Sequence, residues 1–231
     1  MKGLKNRRVF LGGMVITSIA ALSACAPKPA PAPPPPRIVI PPRPYPPLGA
    51  APNLVTPPVD VNGVRQTVNV GLTSNQRVWN LRSAYNVAAL NCQKPEHAGI
   101  LEGYTSFLKS HSRELTSVNR ELDKAYKAQH GSNYIRVRES FQTQVYNYFA
   151  FPPTLPAFCD AVLAMSQREQ LAQPSDLDAF AASSLPQLES VFGTFYNSYD
   201  QYRMDLAAWE ARYGGGSVAG PTAPPSQTTV Q

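Results

Sequence analysis

The stretch LPQLESVFGTFYNSYDQYRMDLAAWEARY, Leu185 to Tyr213, decides the fold. Its large apolar side chains fall at Leu188, Phe192, Phe195, Tyr199, Tyr202, Leu206, Trp209 and Tyr213, spaced by fours and threes without a break. That is the 3.6-residue period of a helix with one apolar stripe, sustained as in heptad repeats. Leu185-Pro186 predicts its start and Gly214-Gly215-Gly216 its stop.

A second run upstream has the same rhythm: Leu101, Tyr104, Leu108, His111, Leu115, Val118, Leu122 and Ala125. It is expected to form one long helix from Pro95 to His130-Gly131, where a cation and then a glycine give a stop signal. Shorter helical patterns flank the two. Ser74 is expected to cap a helix reaching Leu90, with Val78, Leu81, Tyr85 and Ala88 on one face. Tyr134 to Tyr148 marks another, stopped at Pro152-Pro153, and Pro156 to Ala172 a further one. Pro174-Ser175-Asp176 begins a short segment. Upstream, Val59-Asp60-Val61-Asn62-Gly63-Val64 sets Asn-Gly between β-branched residues, which predicts a small type I′ hairpin with Gln66 to Val70 as its return strand.

The expected fold class is therefore mainly α: an antiparallel helical bundle with two long heptad helices and a small N-terminal β-hairpin. Heptads also seam separate chains, so a homodimer through these helices is the open alternative. The bundle domain is expected to cover residues 59–213. Before it, residues 26–58 hold 15 of the 24 prolines and no period that could bury a face. Such a segment favours extended polyproline II, reaching on the order of 100 Å at about 3.1 Å per residue. After the bundle, residues 214–231 are Gly/Pro/Ser/Thr-rich and are expected to be a disordered tail.

The formal charge of +6 is concentrated at the N-terminus. Lys2, Lys5, Arg7 and Arg8 open the chain, and Lys28, Arg37 and Arg43 lie in the proline stretch. The remainder, from Val59 onward, is close to neutral, so it carries no electrostatic footprint for a nucleic acid. Cys25, Cys92 and Cys159 are the only cysteines. If Cys25 is set aside, Cys92 and Cys159 are expected to pair as a disulfide, and two buried free thiols are the alternative. Closing so long a loop would stabilise the fold by roughly 4 kcal/mol.

Cys25 is set aside because of what precedes it. Four cations and no acid are followed by an apolar run, Val9 to Ala21, too short and too weakly apolar for a membrane span. The run ends Leu22-Ser23-Ala24-Cys25. This resembles the lipobox of bacterial lipoproteins. The resemblance implies that residues 1–24 are a cleaved signal peptide, that Cys25 becomes a diacylglyceryl-bearing N-terminus, and that the protein is anchored to a membrane through lipid. Two or more acyl chains hold a protein stably. Ala26 after the cysteine implies, in the family's sorting pattern, the outer membrane facing the periplasm. Arg7-Arg8-Val9-Phe10-Leu11 is also similar to the twin-arginine export motif, with Arg7 and Arg8 as its pair; two arginines that merely supply positive charge are the alternative.

Motifs for chemistry are sparse. His97, His111 and His130 lie on one predicted helix, without an H-E-x-x-H or E-x-x-H pair, so no metal is expected; His97 and His111 read as hydrogen-bonded seam residues. Ser106-Phe107-Leu108-Lys109 spells S-x-x-K, but its companions S-D-N and K-T-G do not occur. Asp176 and Asp178 suggest a capped helix start rather than a catalytic carboxylate pair. Tyr196 lies off the seam and is the aromatic expected at the surface. The sequence thus predicts a non-catalytic, cofactor-free structural or interaction module of the cell envelope, meeting a protein or cell-wall partner. The alternative is a module that binds a ligand or cell-wall fragment in a groove between helices.

Overall fold

The computed structural model describes residues 39–172 and 174–214, and among these described residues there are six α-helices. They are α1 (Ser74–Asn91), α2 (Gly99–Ser110), α3 (Ser112–His130), α4 (Tyr134–Phe149), α5 (Leu155–Ala172) and α6 (Leu177–Tyr213). Residues 1–38, Gln173 and residues 215–231 lie outside the described part, and with them the expectations for Arg7, Arg8, Leu22 to Cys25 and the tail.

The centre of the bundle is α1, which packs against each of the other five helices. Its sequence suits that place. Val78, Asn80, Leu81, Ser83, Ala84, Tyr85, Val87, Ala88 and Ala89 are all buried, and a half-buried stripe of Asn75, Trp79, Arg82 and Asn86 is what remains toward solvent. A helix so nearly enclosed needs small residues through which neighbours can approach. Thr73, one residue before the expected cap, starts it. The Thr73 hydroxyl accepts from Gln76 N and the Gln76 side chain accepts from Thr73 N, a reciprocal capping box.

The heptad run expected to be one helix is two. The backbone leaves helical geometry at His111 (φ −105°, ψ 20°), which ends α2 and begins α3. In α2 the buried stripe is Ile100, Gly103, Tyr104 and Phe107, while Leu101 is 60 % exposed. In α3 it is Leu115, Leu122 and Tyr126. The two heptad runs meet α1 rather than each other: α3 packs on α1 and α4, and α6 on α1 and α5.

The opposite happens at Pro186. Expected to open the last helix, it lies inside α6, which begins at Leu177 and runs unbroken for 37 residues. Asp176 caps it, its Oδ1 accepting from Ala179 N at 3.0 Å, so Pro174-Ser175-Asp176 leads into the long helix itself. Proline removes one helical N–H and frees the carbonyl four residues back. Here both Pro186 and Ala182 are exposed, so water can satisfy that carbonyl. All five upper seam residues, Leu188, Phe192, Phe195, Tyr199 and Tyr202, are buried, and Leu206, Trp209 and Tyr213 are half-buried. Tyr196 is buried too, at 6 % exposure, with the Arg65 guanidinium 5.3 Å from its ring centroid.

The core is one cluster around Tyr85, Phe107, Phe149, Phe158, Phe192 and Tyr199, all fully buried. Cys92, which caps the C-terminus of α1, is joined to Cys159 of α5 by a disulfide with Cα atoms 5.6 Å apart, as expected.

The chain ahead of α1 departs from its reading. The second half of the proline stretch is strapped along α6. Trp209 Nε1 donates to Pro41 O at 2.8 Å, and Arg43 pairs with Glu210 at 2.6 Å. Ala50 enters the core. Tyr199 Oη donates to Ala51 O at 2.7 Å and accepts from Leu54 N at 2.9 Å. The expected hairpin is reduced to a single antiparallel bridge, Val59 to Arg65. Its turn is not type I′, since Gly63 has φ +80° while Asn62 stays at negative φ. Asp60 holds the turn instead, its Oδ1 accepting from both Asn62 N and Val64 N at 2.9 Å. The return strand is replaced by turns at Thr67 to Gly71, and Thr67 and Asn69 bind Glu189 of α6.

Candidate functional site

The break between α2 and α3 opens a cleft of about 580 Å³ against the C-terminal part of α5. Ser106 and Ser110 come from α2, Glu114 from α3, and Glu169 and Gln170 from α5, with His111 at the hinge. Ser106 and Ser110 are exposed at the rim, while His111 and Glu169 are buried in the wall. None of the described residues lining the cleft is lysine or arginine.

Its chemistry turns on His111. Leaving the helix at this residue gives α3 a new first turn, which brings Glu114 beside the ring. His111 Nδ1 lies 2.8 Å from Glu114 Oε2. An ionised carboxylate only accepts, so Nδ1 carries a hydrogen and donates it to Glu114. Nε2 faces Glu169 Oε1 at 3.7 Å, beyond hydrogen-bond reach. The ring also packs on Phe107, centroids 5.2 Å apart.

Glu169 is in phase with Phe158, Val162 and Met165 on the buried stripe of α5. Its side chain is 5 % exposed, and its Oε2 is buried without a hydrogen-bond partner. Burial pushes its carboxyl above the usual range, and the facing His111 offsets this only in part. Behind it, Tyr85 Oη donates to Ser166 Oγ at 2.5 Å. Burial pushes the Tyr85 phenol up to about 12, so it stays a neutral donor. These groups fit only because Gly103 of α2 has no side chain. A Cβ there would collide with Ser166 Oγ and the Tyr85 hydroxyl.

The other expected candidates are placed apart from this cluster or at its rim. His97 is buried, with Nε2 2.8 Å from Asp160 Oδ1. His130 is exposed at the end of α3. Ser106 of the S-x-x-K match sits on the cleft rim, but Lys109 is exposed and does not line it. Asp178 pairs with Arg77 at 3.7 Å, away from a second carboxylate role. Among the described residues no group of three or more His, Cys, Asp or Glu side chains is placed to hold a metal ion. Sequence reasoning missed Glu169. The signal was there: a carboxylate four residues from Met165 and seven from Val162 on one helical stripe.

Compared with known proteins, the chain matches no family model, no curated protein and no solved structure. Among the described residues, no single helix is long and apolar enough to cross a membrane.

Proposed function

We propose that this protein is a non-catalytic, lipid-anchored module of the cell envelope, held through Cys25 at the periplasmic face of the outer membrane, whose bundle takes a small polar ligand in the cleft at His111. The observation that supports the ligand reading is Glu169, a carboxylate 5 % exposed in the wall of that cleft with one oxygen unpartnered. Burying an ionisable group without a partner is costly, and such groups concentrate where a ligand supplies what is missing.

The anchor rests on Leu22-Ser23-Ala24-Cys25 and the cationic, acid-free start of the chain. Because α6 holds the chain from Pro41 onward, the part of the proline stretch left to link Cys25 to the bundle is residues 26–40.

A structural or interaction module is the second reading. It is favoured by an apolar groove of about 420 Å³ beside the strap, lined by Pro47, Leu48, Ala157, Val191 and Phe195. Against it stands Tyr196, whose ring is covered rather than presented to a partner.

The test is titration of the full chain with soluble fragments of digested cell wall, followed by calorimetry, for the wild type and for Ser106→Trp. Ser106 is exposed at the rim, so the larger side chain fills the cleft without entering the core. Saturable heat in the wild type that is lost in the variant is expected. Equal heats in both would place binding elsewhere, and no heat in either would end the ligand reading.

A further inference from the structure

The apolar groove of about 420 Å³ beside the strap restricts what can fill it. Pro47 and Leu48 of the strap, Ala157 of α5, and Val191 and Phe195 of α6 form its walls, and no described lining residue is charged. Four hydroxyls also line it, and each is already engaged. Thr154 donates to Phe151 O, Ser190 to Gln187 O, Thr194 to Ser190 O and Ser198 to Thr194 O. The lining side chains therefore offer an occupant no hydrogen-bond donor, and a carbonyl buried against them would go unmet. One lip of the groove is strained. Leu48, at φ +51°, is the one non-glycine residue at positive φ among the described residues, yet its side chain is 67 % exposed. Ala50 fixes that turn by donating its N–H to Pro47 O and entering the core. A strained leucine left in water gains nothing until an apolar group packs on it.

We propose that the groove is the docking site of the chain's own segment Pro221-Thr222-Ala223-Pro224-Pro225, laid along α6 as a polyproline II strand. Such a strand makes no internal hydrogen bonds and keeps its carbonyls in water, so it needs no donor from the groove. Its prolines bring apolar rings without an N–H to satisfy. Segments of the P-x-x-P type dock in aromatic-lined grooves on this principle, and Phe195 is the aromatic here. The same helix already holds one proline-rich segment, the strap, through Trp209 and Tyr199. The lengths also fit. After α6 ends at Tyr213, Gly214-Gly215-Gly216 have the backbone freedom that a reversal needs. From Gly214 back to Phe195 is about 29 Å at the helical rise. From Gly216 on to Pro225 is about 28 Å at the polyproline rise. Pro224 and Pro225 thus come abreast of Phe195, travelling along α6 in the same direction as the strap. The proline stretch ahead of the strap suits the groove less well. It meets α6 at Trp209 and would have to double back, with no glycine between Ala26 and Ile38 to turn on. The groove shares no described lining residue with the cleft at His111 and is independent of what that cleft binds.

The test is photocrosslinking in the full chain, with p-benzoylphenylalanine in place of Ala157, which is exposed on α5. Products are mapped by mass spectrometry. Crosslinks from position 157 to peptides containing residues 221–225 of the same chain are expected, at a yield unchanged by tenfold dilution. Changing Pro224 and Pro225 together to Ser should lower that yield at least fivefold. Leu48→Asp, which sets a charge on the lip, should do the same. If the Ala157 variant does not fold, the label goes at Leu48, also exposed, and the proline substitutions are read in the same way. Crosslinks confined to the strap and α6 would overturn the proposal. So would products between two chains that fall on dilution, which assign the groove to a second copy, or crosslinks to residues 26–38, which assign it to the N-terminal proline stretch. A crosslink to residues 221–225 that ignores the substitutions would also overturn it, since the segment would then pass the groove without docking.

Discussion

Glu169 sets a stability cost against a binding role, and the sign of that cost can be measured. Its folded carboxyl is raised above the ordinary value by burial, so folding favours the protonated form. A group raised in this way contributes stability fully below its unfolded value, near pH 4, and loses it as pH climbs through the folded value. Glu169→Gln never ionises. Its thermal midpoint relative to wild type is therefore expected to rise between pH 4 and pH 8; a constant or falling difference would contradict the burial argument. Gly103 lies at the same site with the opposite logic. Glycine to alanine in a helix interior usually stabilises by about 1 kcal/mol. At Gly103 the new methyl would strike Ser166 and Tyr85 and break their buried hydrogen bond. Gly103→Ala is expected to destabilise by about 2 kcal/mol on balance, read from denaturant unfolding.

Among the elements, α6 was the most legible and the strap the least. Every seam residue from Leu188 to Tyr202 is buried, because an aromatic stripe at 3.6-residue period leaves a helix few other ways to pack. Its beginning was misread, since Pro186 is a stop signal only where the freed carbonyl cannot reach water. Pro186→Ala should restore that bond and stabilise the protein by about 1–2 kcal/mol, below the ~3 kcal/mol cost of an interior proline because the site is exposed. An unchanged midpoint would mean that α6 does not run through this turn. At His111 the error was the reverse: apolar spacing continued across a backbone break, since periodicity reports which side chains are buried and not whether the helix holding them is continuous. The strap has no period to read. Its partners, Trp209 and Tyr199, identify it only once α6 is in place. Tyr199→Phe removes both hydrogen bonds to the strap and should cost about 1–3 kcal/mol while leaving helical circular dichroism intact. The cleft was legible in its parts only. His111, at the break before α3, and Glu169 of α5 are separated by all of α3 and α4, and nothing local in the sequence sets one before the other.

At the scale of the whole molecule, a central helix carries five others, and one covalent bond closes a separation of 67 residues between α1 and α5. Replacing both Cys92 and Cys159 by Ser should lower stability by roughly 4 kcal/mol, and the loss should be absent when wild type is measured under reduction. The same bond suits a protein that works outside the reducing cytosol, in keeping with the proposed export. The proposed lipid anchor depends on Cys25. Intact mass spectrometry of the protein extracted from membranes tests it most directly, together with fractionation of a Cys25→Ala variant. A chain that begins at Cys25 with a diacylglyceryl adduct, and a variant found in the soluble fraction, is the expected result. An unmodified Cys25, or a variant that remains with the membrane, would contradict it.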